Sequence, residues 1–330
     1  MLTTFSATLS PMLMLFFFMA VGFVARKTKI LPENAGKVMA QMETWIFCPA
    51  LSFITMAKFF TPESIKTHAT NLLFSSVCVA LTIGIAIFLA RFFVKDKNDP
   101  ERGIYKYALA FANGSYVGDP VVLALFGEVA LSYYKLFYMP FCLLIYVWGI
   151  GVLVPRGDGK QNPLMRILNA PTVALFLGIL FGLTGLGRFI PSFLDTALCS
   201  LRDCMGPVAM LLAGFTVAGY SIRGMLKEKP VYVATLLRLF VLPVVLLAAM
   251  FGVKLFLSSV LHLAVEDFVL YLAFFATAGP LGLNTIIFPE AYGGSPKTGA
   301  AMALISHTLC VVSIPLMYAL MVAVFGPVTF

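Results

Sequence analysis

Charge is what this sequence has least of. Only 12% of its 330 residues are Asp, Glu, Lys or Arg, about half the roughly 25% of a soluble domain, while 60% are hydrophobic. An ordinary water-soluble fold is excluded on that ground. The chain has no Walker A phosphate loop and no soluble stretch to host one, so a nucleotide-driven pump is excluded unless a partner supplies the motor. It has no His-Glu-x-x-His pattern and no nucleophile with partners, which leaves a membrane sensor or intramembrane enzyme without a centre; no catalytic residue, metal ligand or organic cofactor is assigned. The six cysteines, Cys48, Cys78, Cys142, Cys199, Cys204 and Cys310, lie inside apolar runs without metal-ligand spacing and read as buried thiols. No basic residue precedes Arg26, so the first apolar run lacks the positive start of a cleavable signal and is expected to remain as a helix.

What is there is apolar sequence in long pieces. At roughly 20 residues per crossing, the hydrophobic share is enough for about ten transmembrane helices. The runs fall at about 6 to 25, 36 to 57, 69 to 93, 104 to 127 and 131 to 154, then 168 to 187, 194 to 222, 230 to 257, 266 to 290 and 299 to 325. Net charge is +8, but the basic residues sit in the gaps between runs, where they specify topology and not nucleic-acid binding. The gaps after runs 1, 3, 5, 7 and 9 hold sixteen Lys and Arg and the alternate gaps five. Cytoplasmic loops carry the excess, so both termini are expected on the outer side of a plasma (inner) membrane.

Five crossings per half mean that a duplicated unit enters the bilayer upside down the second time. Pro11 and Pro171, Gly22 and Gly182, and Pro120 and Pro280 are each separated by the same number of residues, and Pro49 and Pro207 come within two of it. The expectation is two inverted five-helix repeats, 1–154 and 168–330, joined by a cytoplasmic linker at 155–167.

Runs 4 and 9 differ from the rest because glycines, polar residues and a proline interrupt them. Non-helical chain at membrane depth survives only where protein or a water-filled cavity satisfies its backbone, so a matched pair of breaks points to a transport site. Pro120 and Pro280 each suit the first position of a new half-helix, whose free N–H groups and positive dipole end hold an anion. Asn113, Gly114, Ser115 and Gly118 precede the first proline; Gly279 precedes the second, with Asn284 and Thr285 one turn beyond. These nine residues form the candidate binding site for a carboxylate-sized group. The competing reading is two proline kinks mended by neighbouring side chains.

Three ionisable residues are candidates for H⁺ or Na⁺ coupling. Asp119 lies at membrane depth, where a carboxylate is costly, but an Asp before Pro is also an N-cap. Arg238 is too deep for a loop and offers a counter-charge, an ion pair or a snorkelling cation. His307 offers a proton relay or a hydrogen-bonded core histidine.

The segments AFANGSYVGDPVVLALFG, NAPTVALFLGILFGL, GPVAMLLAGFTVAG, LLRLFVLP and ATAGPLGLNTIIFPEAYGG, in that order along the whole chain, resemble the auxin efflux carrier family in its compact ten-helix form. The resemblance implies an all-α polytopic fold like that of bile-acid symporters and sodium/proton antiporters, with runs 4 and 9 crossing at their breaks. Runs 1, 2, 6 and 7 would form a scaffold and dimer surface, and the remainder a transport domain that moves as an elevator. Asn113, Gly118, Pro120, Pro280 and Asn284 would lie at the crossing, and the substrate would be a small organic anion such as auxin or a dicarboxylate. Where the family pattern has an apolar residue between that glycine and proline, this chain has Asp119, which favours coupling. The alternative is a cation/proton antiporter on the same architecture, with Asp119 as ion carrier.

Overall fold

The computed structural model describes residues 2–154, 169–260, 262 and 265–328; the expected linker at 155–167 lies outside them. Every one of the ten apolar windows contains helix, and the only extended pairing among the described residues is an isolated bridge between Ala112 and Leu281.

Helix α1 spans Leu2–Lys27. Helix α2 runs from Ala35–Met42 through a π-helical turn, Glu43–Phe47, into Cys48–Phe59, and α3 spans Ala69–Phe93. Helix α4, Pro100–Ala110, starts where the Asp99 side chain accepts the Glu101 N–H and Pro100 takes the first helical position, a combination that satisfies an otherwise orphaned donor. After a three-residue gap α5 opens as a π-helical turn, Gly114–Gly118, and continues to a kink at Gly127, whose φ of +82° suits a residue without Cβ. Helix α6 is Val129–Leu153.

In the second half α7 is Ala170–Thr184, capped by Asn169 and ended by left-handed Gly185; α8 is Ser192–Ala218 and α9 Lys229–Ser259, with a π-helical turn at Leu237–Val241. Helix α10, Phe268–Thr277, ends in a second break, and α11, Asn284–Tyr292, resumes beyond it. Helix α12 is Lys297–Phe325. Among the described residues, five helices are long and apolar enough to cross a membrane: α3, α6, α8, α9 and α12. Large apolar side chains such as Phe17, Phe92, Phe176 and Leu316 remain exposed on the outside of the bundle, as lipid-facing residues do.

Helices α1 and α8 pack along one another, and so do α2 and α7. A methyl group on Gly214 would lie 1.8 Å from the Met19 carbonyl oxygen, and one on Gly178 2.5 Å from that of Phe53. Without a hydrophobic drive between helices in lipid, such close backbone approach is what holds them. The other helices form a second body around the two breaks, with α3 against α4 and α6, α9 against α10 and α12.

Candidate functional site

The two breaks meet. Phe111, Ala112 and Asn113 leave the helix in the first half, and Ala278 to Leu283 in the second. The Asn113 N–H donates to the Pro280 carbonyl at 2.8 Å, which closes the bridge between Ala112 and Leu281. The sequence places the first break beside Pro120, and the structure places it at Phe111–Asn113: Pro120 is the second residue of the α-helical stretch that follows the π-helical turn Gly114–Gly118. A proline has no N–H to donate, and here it stands where the π-helical turn gives way to α-helix, without opening a gap. Pro280 is likewise not the first residue of a half-helix but the central residue of the break itself.

Backbone groups freed here are satisfied by side chains from both halves. The Ala112 carbonyl accepts the Gly114 N–H at 2.8 Å and the Tyr138 hydroxyl at 3.3 Å; Tyr134 donates to the Gly114 carbonyl at 3.3 Å. The Leu281 N–H finds the Ser306 hydroxyl at 3.2 Å. Each asparagine then reaches into the opposite half. Asn113 Nδ2 sits 2.9 Å from His307 Nε2, and His307 Nδ1 lies 3.0 Å from the Ala303 carbonyl. A carbonyl only accepts, so Nδ1 carries the hydrogen and Nε2 accepts from Asn113. Asn284 Nδ2 donates to the Tyr107 hydroxyl at 2.6 Å, while its Oδ1 is buried without a partner. Sequence reasoning missed Tyr107, Tyr134, Tyr138 and Ser306, because nothing in local spacing marks a tyrosine as the mender of a distant carbonyl.

Several candidates stand elsewhere than the site. Thr285 turns its hydroxyl to the Gly282 carbonyl at 2.8 Å and packs under Gly299, so it is spent on its own helix end. Gly118 and Pro120 lie one to two turns past the crossing; Gly118 packs on the Tyr134 hydroxyl and shares a small apolar pocket with Gly279. Gly114 packs against the Tyr138 ring. Asp119 does not cap a helix: its carboxylate pairs with Lys135, across the Gly127 kink. Arg238 does not snorkel, and it forms no ion pair among the described residues. It is fully buried in the π-helical turn of α9 and donates at 2.8 Å to the Leu109 carbonyl, one of the orphaned acceptors at the negative end of α4.

Ser115 faces a cleft between α2 and the second body, lined also by Ser52, Thr55, Lys135, Tyr138 and Tyr146. About 20 Å³ is open there, space for a single water. It brings a hydroxyl, a cation and tyrosines within one side chain of the crossing. A larger cavity of about 480 Å³ opens near Asp99, Glu101, Glu228 and Lys297; with three acids to one base it repels anions.

Two copies of one family model, for a membrane transport protein, match the chain, at residues 7–163 and 159–318. The chain belongs to the auxin efflux carrier family of membrane transport proteins. An uncharacterized transporter of Methanocaldococcus jannaschii is 21% identical over 206 residues, 62% of this chain and 67% of that protein. The carrier is therefore an integral, multi-pass membrane protein, and the pinned crossing lies within both matched copies: Asn113 in the first, Asn284 in the second.

Proposed function

We propose that the protein is a secondary transporter that carries a small organic anion, a carboxylate such as a dicarboxylate or an auxin-like acid, through the crossing of its two broken segments. The observation that carries this reading is the cleft beside Ser115, where Lys135 offers positive charge next to the helix beginning at Gly114. The positive end of a helix dipole favours an anion, and Lys135 already holds one carboxylate, that of Asp119. An incoming substrate carboxylate exchanges for Asp119 on Lys135, while Asn113 and Asn284 supply neutral hydrogen bonds. Asp119, set free, takes up H⁺ or Na⁺, which is the form in which coupling through this residue is proposed.

In this reading the chain crosses the bilayer ten times, as two inverted repeats, 1–154 and 168–330, with both termini outside the plasma membrane. The duplicated family match and the equivalent close packing at Gly22 and Gly182 support it. The body around the breaks rides past the α1, α2, α7 and α8 scaffold as an elevator, and the scaffold forms a homodimer.

The test is substrate-induced current from purified protein in liposomes, across mono- and dicarboxylates, each with and without Na⁺ and a pH step. A saturable signal for one carboxylate, lost in the Asn113→Ala, Asn284→Ala double variant, is the expected result. Current from the pH or Na⁺ step alone, with silence for every organic anion, replaces this reading with a cation/proton antiporter.

A further inference from the structure

Glu43 is the one wholly buried acid among the described residues. It opens the π-helical turn in the middle of α2, and neither carboxylate oxygen closes a hydrogen bond. A π turn inside an α-helix marks functional positions more often than chance, and an intramembrane carboxyl group is retained where it works. From α5 the Tyr116 hydroxyl faces it, itself buried and without a hydrogen-bond partner, and the backbone of Ala209 approaches from α8.

Among the described residues no cation is placed to hold Glu43 as a carboxylate. Its own helix adds Cys48 and carries its lysines, Lys37 and Lys58, toward its two ends. Helix α7 carries no ionisable side chain, and Arg202 and Asp203 of α8 pair with each other near its outer end. Helix α11 brings Glu290 and Tyr292, the former beside Gly36 at the far end of α2. An isolated carboxylate in such a medium costs so much that it neutralises instead. As a neutral acid, Glu43 becomes a donor as well as an acceptor and pairs with Tyr116 without residual charge. A sodium ion would need several further oxygens, and the side chain that faces Glu43 brings only the one hydroxyl of Tyr116.

We propose that Glu43 is a proton-binding site of the transporter, read by Tyr116 across the contact between α2 and the broken segment, so that transport through the crossing is linked to H⁺. The linkage reaches the crossing through neighbouring tyrosines: Tyr116 lies near Tyr107, which holds Asn284. In the step itself a proton from water adds to a Glu43 carboxylate oxygen and later returns to water on the other side. No bond other than O–H forms or breaks. This inference rests on the carrier reading for its transport consequence, and on Glu43 alone for its chemistry.

Two readouts separate them. In purified wild-type protein, infrared difference spectra should contain a protonated-carboxyl carbonyl band that disappears in Glu43→Gln and shifts in Tyr116→Phe, a variant that keeps the acid. In liposomes, malonate and indole-3-acetate serve as probes, and one coupled proton drives about tenfold accumulation per pH unit. Wild type should show at least this, and Glu43→Gln should accumulate the probe about tenfold less per pH unit, keeping only the coupling through Asp119. An unchanged infrared band in Glu43→Gln overturns the proposal, and so does wild-type accumulation on a pH step in that variant. Loss of a Na⁺-driven instead of a pH-driven component also overturns it. Band loss without transport of either probe by wild type supports the proton site and counts against the carboxylate reading.

Discussion

The two breaks solve one problem with different means. The first is three residues long, resumes in a π-helical turn, and has the ion pair of Asp119 and Lys135 beside it. The second is twice as long, is buried from end to end, and contains no charged residue between Phe268 and Pro289. Both asparagines reach into the opposite half of the chain, yet Asn113 meets an acceptor on His307 and Asn284 a hydroxyl on Tyr107. Two copies of one family model match the chain, and an ion pair stands beside the first break only. An anion held at such a crossing is bound unequally, by a cation from the first half and by neutral dipoles from the second.

The sharpest way to break this comparison is to remove the charge. Lys135→Met deletes the cation and leaves Asp119 alone, and truncating one member of a buried charge pair costs about 2–5 kcal/mol. Both side chains retain about a fifth of their exposure, so the low end applies. An affinity loss of roughly 30-fold follows from about 2 kcal/mol, measured as the concentration for half-maximal carboxylate uptake. Asp119→Asn, which removes only the competing anion, should keep uptake and bind at least as tightly. Equal behaviour of the two variants would mean that Lys135 does not meet the substrate.

Smaller, and on stability, is the difference between the asparagines. Asn113→Ala orphans His307 Nε2, a buried acceptor, at about 1–3 kcal/mol. Asn284→Ala orphans the Tyr107 hydroxyl but also removes the Oδ1 that has no partner in the native protein, so part of the cost cancels. The melting temperature in detergent should fall further for Asn113→Ala. The reverse order would show that Asn284 Oδ1 is solvated.

How much of this is legible in the sequence depends on whether the partner is local. The windows of the helices follow from runs of apolar residues, and the crossing asparagines from polar groups beside glycine and proline inside such runs. Asp-Pro shows the limit. The same dipeptide occurs as Asp99-Pro100 and Asp119-Pro120. In the first, a loop precedes it and the aspartate caps the helix; in the second, the chain is already helical and the aspartate turns to Lys135, 16 positions on and across a kink. Local pattern gives both the same reading, and only tertiary context separates them. Arg238 is similar, for its acceptor lies 129 residues away. Glu43 has a different history: its run, MAQMETWIF, shows an acid inside an apolar segment openly, and the rule that such a residue is a functional candidate reaches it once applied to scaffold helices as well as to broken ones.

The smallest effect tests how the breaks are mended. At the second, the Leu281 N–H has the Ser306 hydroxyl, and Ser306→Ala strands a buried donor, which costs about 1–3 kcal/mol. At the first, the Ala112 carbonyl accepts from Tyr138 at 3.3 Å but also from the Gly114 N–H at 2.8 Å. A carbonyl with one good donor is not orphaned when a longer second bond is lost. Tyr138→Phe keeps the ring that packs against Gly114 and should cost under about 1 kcal/mol, at or below the ordinary net value of one hydrogen bond. Thermal melting of the two variants side by side decides it. If Tyr138→Phe is as damaging as Ser306→Ala, the tyrosine hydroxyl has a further role, and the cleft it lines beside Lys135 is where to look for it.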